Sequence, residues 1–356
     1  MSSPHDTAPD TRIVAFPESA IRHRQPVPVR RSRAGAIVMA VLAALLVLGL
    51  GVLGSAWWTA RRLADRIGRV EGAFDMAESS RPAKPAAAAG SLNVLVAGLD
   101  GEMRTTQEHG ARSDAVMVLH VDADRRHAWV VSVPRDCWVT LPGLGEHKLN
   151  AAYSLGGPAL FVQTMEQLTG LRMDHLVVID WTGLRRLTDA LGGVPMSVLT
   201  PATADSARGD VALEFDGATA LPYVSTRKTL PHGDLDRVQR QQHYARAVFR
   251  LLADRRTFTD PRALRELATA LGDGVRVDAE LGTDELLRLA ASMRSLRADD
   301  IVFLTAPSVG TGTEGDASVV YYDGDHGREL WQAMAHDRMG DFAASHPELV
   351  TGTHVR

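Results

Sequence analysis

The sequence contains one cysteine, Cys137, so it can form neither an intrachain disulfide nor an all-cysteine metal site. Its 13 histidines show no H-E-x-x-H spacing, and no G-x-S-x-G segment occurs, which argues against zinc proteases and serine hydrolases of those types. A net charge of -4 gives no support for binding nucleic acid, which usually requires a concentrated basic surface.

Residues 34–60, AGAIVMAVLAALLVLGLGVLGSAWWTA, carry no charge at all. This run exceeds the roughly 20 apolar residues that a helix needs to cross a bilayer, and Trp57 and Trp58 end it where indole rings favour the interface. A cleaved signal peptide is the alternative, but its apolar core is usually about 7–15 residues long. The length therefore predicts an uncleaved, single-pass signal anchor in the cell membrane.

Arginines flank this run on both sides, with a slight excess on the N-terminal side. This excess favours a cytoplasmic N-terminus, which would place the C-terminal domain outside the cytoplasm. The predicted organisation has five parts: a disordered cytoplasmic arm (1–33), the transmembrane signal anchor (34–60), a helical extension and linker (61–90), a folded catalytic domain (91–339) and a C-terminal tail (340–356).

Apolar runs of strand length alternate with helical patterns from residue 92 onwards. The predicted strands are 92–98, 115–121, 128–133, 175–180 and 301–306, and the predicted helices are 159–169, 182–191, 235–256, 261–271 and 283–295. This mixture predicts an α/β fold, a single extracytoplasmic α/β/α domain with a mixed central sheet.

Acidic and basic side chains lie together at the predicted strand ends: Asp100, Arg112, Asp114, Arg135 and Asp136. Carboxylates bind hard cations such as Mg²⁺, and arginine forks match phosphate oxygens bidentately. The combination suits a phosphorylated ligand, particularly a diphosphate. Taken alone, however, these residue types favour ordinary surface salt bridges.

A second polar segment, STRKTLPHGDLDRVQRQQ (225–242), runs from a loop into a helix. Arg237 and Gln241 are four residues apart and share one helix face, which Tyr244 continues. Because an apolar stripe that includes Val238 and Val248 lies beside them, the polar pair is expected to border the core.

The order and spacing of six segments resemble the LytR-CpsA-Psr family of bacterial envelope proteins, from residue 92 to about residue 339. The segments are NVLVAGLD, RSDAVMVLHV, VVSVPRDCWVTLPG, HKLNAAYSLGGP, DALGGVPMSV and GDLDRVQRQQ. None is specific alone, but together and in this order they are highly specific.

The resemblance implies a membrane-anchored, Mg²⁺-dependent phosphotransferase. Such an enzyme moves a glycopolymer from a polyprenyl pyrophosphate carrier onto a peptidoglycan acceptor. Asp100 and Asp114 match the family's metal-associated carboxylates. The residues that match positions gripping or shaping the pyrophosphate pocket are Arg112, Arg135, Arg227, Arg237 and Gln241. Asp234 matches an acidic position that could act as base, so the implied catalytic set is Asp234, Arg135 and Arg227. The isoprenoid tail requires an apolar cavity, expected around residues 175–180 and 246–253.

Several positions depart from the family pattern. Ser225 stands where many members have an arginine, His232 precedes the Gly-Asp pair, and Cys137 replaces a usual Thr or Ser after PRD. The first change motivates an alternative: a non-catalytic polyprenyl-phosphate-binding or regulatory envelope protein of the same fold. Lys148 and Asn150 fit a role at the site and a structural helix-start role equally well.

Overall fold

The computed structural model describes residues 61–62, 64–100, 112–199, 210–226, 230, 234–253 and 261–352. The predicted signal anchor and N-terminal arm lie outside these residues. None of the helices described is long and apolar enough to cross a membrane.

Strands and helices alternate along the described chain. The strands are β1 Gly68–Val70, β2 Leu92–Leu99, β3 Ser113–Val121, β4 Ala128–Val133, β5 Cys137–Leu141, β6 Gly145–Lys148, β7 His175–Asp180, β8 Val194–Leu199, β9 Asp210–Phe215, β10 Val275–Asp278, β11 Ile301–Thr305, β12 Ser308–Glu314 and β13 Ala317–Tyr322. The helices are α1 Ala151–Thr169, α2 Trp181–Ala190, α3 Gly217–Ser225, α4 Asp234–Ala253, α5 Pro261–Gly274, α6 Thr283–Ser292, α7 Gly324–Ala335 and α8 Met339–Ser345.

The main sheet has seven strands in the order β1-β10-β7-β2-β3-β4-β11. Strand β2 pairs parallel with β7 and antiparallel with β3, and β4 pairs parallel with β11, so the sheet is mixed. Two smaller sheets have the orders β12-β13-β5-β6 and β8-β9. The predicted α/β fold with a mixed central sheet is therefore confirmed.

Both faces of the main sheet are covered, which explains why its central strands are apolar throughout. Successive side chains of a strand point to opposite faces. Leu95 and Ala97 of β2 belong to a core cluster shared with helices α1, α7 and α8. Val94 and Val96 belong to the opposite face, where Phe249 of α4 packs. This second face is the one that borders the candidate site.

The segment predicted as helical extension and linker contributes to the folded unit. Strand β1 pairs parallel with β10 at the edge of the main sheet. The guanidinium of Arg81 contacts Glu166 of α1, with 2.7 Å between Nη2 and Oε1, and both side chains are buried. The sequence pattern did not reveal these contacts because a three-residue strand and a single arginine leave no periodic signal.

The chain after residue 339 is also packed rather than extended. Met339 and Phe342 of α8 are buried in the core. The backbone N–H of Thr351 donates to the carbonyl of Phe303 over 2.8 Å. Residues 339–352, mostly predicted as tail, therefore close one side of the sheet at β11.

Helix α1 begins eight residues before its predicted start. Its two halves meet at a kink, where Gly157 has a φ of +67° and Pro158 begins the second half. Glycine adopts this left-handed conformation without strain, whereas proline is favoured at a helix start. The GGP sequence thus marks an interruption inside the helix, whereas the sequence pattern alone placed the start of the helix at this point.

Candidate functional site

The candidate site lies at one edge of the main sheet, where several strand ends meet. Leu99 of β2 is in register with Ser113 of β3 and with Asp180 of β7. Asp100 follows Leu99 and Asp114 follows Ser113, so three carboxylates are brought to this edge. Strand β4 ends beside them, and Arg135 comes two residues after its last residue, Val133.

Four of the predicted site residues form one cluster of ion pairs. The guanidinium of Arg135 contacts the carboxylate of Asp114, and its Nε lies 3.6 Å from Oδ1 of Asp234. Nη2 of Arg237 lies 2.6 Å from the same Asp234 oxygen, and Nη1 lies 4.0 Å from Oδ2 of Asp114. Residues from β3, the end of β4 and the start of α4 thus converge on one point.

These charges are largely withdrawn from solvent. Arg237 is 2% exposed and Arg135 is 9% exposed. The side chains of Asp114 and Asp234 retain only 13% and 15% of their accessible surface. Because desolvated charges are costly unless they are paired, each arginine is held against carboxylates.

Asp136 and Lys148 extend the cluster. Oδ2 of Asp136 lies 3.8 Å from Nε of Arg135, and its Oδ1 lies 3.1 Å from Nζ of Lys148. Lys148 reaches this position because it pairs with Trp138 in the β5–β6 hairpin. Neither residue was assigned a role from the sequence, although Asp136 stood among the strand-end charges and a site role for Lys148 was left open. The hairpin pairing was the missing signal.

Asp100 and Arg112 form a separate exposed pair beside this cluster. The backbone N–H of Arg112 donates to Oδ1 of Asp100 over 2.8 Å, and the N–H of Asp100 donates to the carbonyl of Arg112 over 3.1 Å. Within the described residues, neither side chain forms an ion pair with Asp114, Arg135 or Asp234. Their predicted roles rest on the position of these strand ends.

Arg227 lies outside the described residues, so its predicted place in the site stays a prediction. Ser225, at the position where many family members have an arginine, ends helix α3. Its hydroxyl donates to the carbonyl of Leu221 over 2.7 Å, an ordinary contact within a helix.

Gln241, which the helix pattern placed at the border of the core, is buried, and so is Tyr244 on the same helix. Nε2 of Gln241 donates to the carbonyl of Val224 over 3.3 Å. The hydroxyl of Tyr244 contacts that of Thr188, and burial raises the pKa of Tyr244 to about 12. Both side chains therefore fix α4 to the neighbouring helices α2 and α3.

An apolar cavity of about 290 Å³ lies between the main sheet and helix α4. Its lining includes Ile179 of β7 together with Val248, Phe249 and Leu252 of α4. These residues fall in the two segments where the sequence predicted an apolar cavity. The wall also includes Ala115, the neighbour of Asp114, and Gln241, one helical turn from Arg237. The cavity therefore adjoins the ion-pair cluster.

Small residues keep space open at this end of the cavity. Gly98 of β2 faces Ala115 of β3, and a Cβ atom added to Gly98 would lie 3.0 Å from that of Ala115. Larger side chains at either position would enter the space that the two residues leave.

The residues at the sheet edge fit a hard cation. Asp114 can accept further ligands beyond its arginines, because a carboxylate offers about four acceptor positions. The hydroxyl of Ser113 is buried beside Asp114 without a hydrogen-bond partner among the described residues. Asp100 presents an exposed carboxylate on the adjacent strand. The carboxylates of Asp100 and Asp114, at adjacent strand ends, supply the oxygen ligands that Mg²⁺ prefers.

Cys137, next to Asp136, is fully buried. Burial, followed by the charges of Asp136 and Asp234, raises the pKa of its thiol to about 12. A thiol with this pKa carries almost no thiolate at neutral pH, so Cys137 is a packing residue and not a nucleophile.

A model of the LytR_cpsA_psr family matches residues 66–336 of the chain. The probable cell wall biosynthesis protein LcpB of Corynebacterium glutamicum is 37% identical over 227 residues, which cover 63% of this chain and 53% of LcpB. The polyisoprenyl-teichoic acid–peptidoglycan teichoic acid transferase TagU of Halalkalibacterium halodurans is 30% identical over 251 residues, which cover 69% of this chain and 79% of TagU. The regulatory protein MsrR of Staphylococcus aureus is 29% identical over 240 residues, which cover 64% of this chain and 70% of MsrR.

The chain spans about half the length of its corynebacterial relatives, 53% of LcpB and 54% of LcpA. Among solved structures, protein gbs0355 of Streptococcus agalactiae superposes with a TM-score of 0.58 at 20% identity, covering 70% of this chain and 88% of that protein. TagV of Bacillus subtilis superposes with a TM-score of 0.56 at 20% identity, covering 70% of this chain and 97% of TagV. At this level of identity the likeness shows a shared fold.

Proposed function

The chain belongs to the LytR-CpsA-Psr family, and on this basis we propose that it is a membrane-anchored phosphotransferase. It would move a glycopolymer from a polyprenyl pyrophosphate carrier onto peptidoglycan. The names of two relatives, a teichoic acid transferase and a cell wall biosynthesis protein, support this class of activity.

The observation that carries the proposal is the placement of a buried ion-pair cluster beside an apolar cavity. Arg135 and Arg237 provide forks for diphosphate oxygens, and the cavity next to Ala115 and Gln241 suits an isoprenoid chain. A polyprenyl pyrophosphate has these two parts joined covalently. A protein that binds only a small phosphate has no need for the apolar cavity.

Binding of the diphosphate would exchange one set of anions for another. In the structure, Asp114 and Asp234 neutralise the two arginines. Phosphate oxygens that take over the guanidinium groups would release the Asp234 carboxylate. Asp234 would then become free to accept the proton of the incoming hydroxyl, so the base would be activated only when the donor is present.

The transfer step requires one bond exchange at phosphorus. The acceptor hydroxyl oxygen attacks the phosphorus that bears the glycopolymer, its proton passes to Asp234, and the anhydride bond to the lipid phosphate breaks. The products are a phosphodiester and a polyprenyl phosphate. Arg135, Arg237 and, from its sequence position, Arg227 would stabilise the charge that grows on the leaving oxygens.

A magnesium ion bound by Asp100 and Asp114 would supply further neutralisation of the diphosphate charge. Arg112, at the same edge of the sheet as Asp100, would contribute a cation from the exposed side. The anchor at residues 34–60 would hold the domain on the extracytoplasmic face of the cell membrane, where a membrane-borne donor is presented.

The test is an assay of transfer from a lipid-linked donor to peptidoglycan fragments in the presence of Mg²⁺. We expect Arg135→Ala and Asp100→Ala to lower the rate at least about 100-fold, the loss typical of a removed charge-stabilising group. Arg328→Ala is a control, because Arg328 is 70% exposed and pairs only with Asp325 within the described structure. Wild-type rates in both site variants would contradict the proposal.

A non-catalytic binding or regulatory protein of the same fold is the second candidate. The serine at position 225 and the relative named as a regulatory protein favour it. It predicts that the purified chain binds polyprenyl phosphate without turnover, even when donor, acceptor and Mg²⁺ are all present. A product that joins donor glycan to peptidoglycan in that mixture would eliminate this candidate.

A further inference from the structure

A second group of potential metal ligands lies at the opposite end of strand β3 from the candidate site. His120 and Asp122 are at the end of this strand, six and eight residues beyond Asp114, and Asp337 follows helix α7. At about 3.3 Å per residue, His120 is roughly 20 Å from Asp114 along the strand. The two groups are therefore separate.

The imidazole of His120 is completely buried and its orientation is fixed. Its Nδ1 lies 2.6 Å from Oδ1 of Asn93, whose own Nδ2 donates to the carbonyl of Arg172 over 3.0 Å. The amide oxygen of Asn93 is therefore an acceptor, and Nδ1 of His120 carries the proton that it accepts. Metal-binding histidines are commonly held in this way through their second ring nitrogen.

Nε2 of His120 points at two carboxylates. It lies 3.1 Å from Oδ1 of Asp337 and 3.7 Å from Oδ1 of Asp122. With one proton on Nδ1, the contact between Nε2 and these oxygens is favourable only when a cation, either a second proton or a metal ion, lies between them.

The distances from Nε2 of His120 to the two carboxylates match a metal coordination sphere, and all three ligand atoms lie within 4.8 Å of one another. With bonds of about 2.0–2.1 Å, two ligands of a tetrahedral zinc ion lie roughly 3.3 Å apart. The observed separations of 3.1 and 3.7 Å fall on either side of this value. Small side-chain adjustments would suffice to admit an ion.

Both carboxylates are themselves oriented by further contacts. Oδ1 of Asp122 accepts from Nε1 of Trp129 over 2.8 Å, and its Oδ2 lies 3.3 Å from Nδ1 of His127. Oδ2 of Asp337 accepts from the backbone N–H of Ala123 over 3.2 Å. Contacts of this kind with neighbouring groups orient metal ligands, and both carboxylates have them.

We propose that His120, Asp122 and Asp337 bind a divalent transition-metal ion of the zinc or manganese class. One imidazole and two carboxylates suit these ions, whereas Mg²⁺ and Ca²⁺ favour oxygen ligands alone. Water would complete the coordination sphere. The ion would tie the β3–β4 turn to the connection between α7 and α8, a structural role independent of the transfer chemistry.

Zinc content after equilibrium dialysis of the 356-residue chain in detergent tests the proposal. We expect the wild-type chain to retain one zinc ion more than Asp122→Asn and Asp337→Asn, which keep the side-chain shape but lose a charge. Asp114→Asn serves as the matched control, because it alters only the candidate transferase site and should retain the ion proposed here. Asn93→Ala should weaken zinc binding about 10–100-fold without removing a ligand.

Equal zinc content in the wild type and in both folded variants would overturn the proposal and identify the group as a hydrogen-bonded ion pair. Should the variants fail to fold, the anomalous signal of a zinc-soaked crystal of the wild-type chain decides. A peak bonded to Nε2 of His120 supports the proposal. The absence of a peak there overturns it, whatever the result of the transfer assay.

Discussion

At the scale of single residues, Arg237 is the most deeply buried charge of the candidate site, and its surroundings determine what replacing it costs. Nη2 lies 2.6 Å from Asp234, and the side chain also faces Asp114. Removing one partner of a buried ion pair leaves an uncompensated charge in a medium of low polarity.

We therefore expect Arg237→Ala to reduce the free energy of unfolding by about 3–5 kcal/mol, the usual cost of an unpaired buried charge. The double variant Asp234→Asn/Arg237→Ala removes both charges and should lose less than the sum of its single variants, Asp234→Asn and Arg237→Ala. Urea unfolding of all four chains measures this coupling. Additive losses would show that the two side chains do not interact in the folded protein.

The sequence identified Asp114, Arg135, Asp234 and Arg237 as site residues, and the structure places all four in contact. The resemblance supplied these positions because their spacing along the chain follows a known pattern. It did not supply Lys148, whose place depends on the pairing of a hairpin. No sequence pattern joined His120 with Asp337 either, because 217 residues separate them.

At the scale of secondary-structure elements, Arg81 holds the segment after β1 against helix α1. Its side chain is 7% exposed and contacts Glu166, which is 3% exposed, and its Nη2 donates to the carbonyl of Met173 over 2.6 Å. We expect Arg81→Ala to destabilise the fold by about 3–5 kcal/mol.

Hydrogen–deuterium exchange measures which segments of the chain lose stability in this variant. In Arg81→Ala, exchange should increase first in residues 78–91 and in the loop around Met173, before the central strands are affected. Arg172→Ala is a suitable comparison, because Arg172 pairs with exposed Glu78 and such surface pairs contribute about 0–1 kcal/mol. Similar exchange in both variants would contradict a dominant role for Arg81.

His175 at the start of β7 connects this strand to β10 through a charged contact. Nδ1 lies 3.2 Å from the fully buried Asp278. Burial by itself would lower the pKa of His175, but the hydrogen bond and the charge of Asp278 prevail and raise it. The folded chain therefore binds this proton more tightly than the unfolded chain does.

A raised pKa in the folded state stabilises the protein fully below the unfolded value of about 6.5, and this contribution is lost as the pH rises through the folded pKa. The difference in unfolding free energy between the wild type and His175→Gln should thus be larger at pH 6 than at pH 9. Urea unfolding of both chains at the two pH values measures it. A constant difference would mean that His175 does not change its protonation with folding.

At the scale of the whole molecule, residues 34–60 are proposed to anchor the folded domain outside the cytoplasm. A chain that begins at residue 61 should then appear in the soluble fraction, whereas the 356-residue chain should sediment with membranes. In intact spheroplasts, protease added from outside should digest the domain of the 356-residue chain. Protection of the domain until the membrane is lysed would reverse the proposed orientation.

The sequence by itself determined the alternation of strands and helices, because strand and helix periodicities are local properties of the chain. It also determined which residue types belong to the site, since their order along the chain matches a family. Only the tertiary structure decided that residues 68–90 and 339–352 join the folded unit, that Asp136 and Lys148 complete the charged cluster, and that the cavity adjoins it. Each of these depends on contacts between residues far apart in sequence, which are fixed by the packing of the whole domain and leave no local pattern.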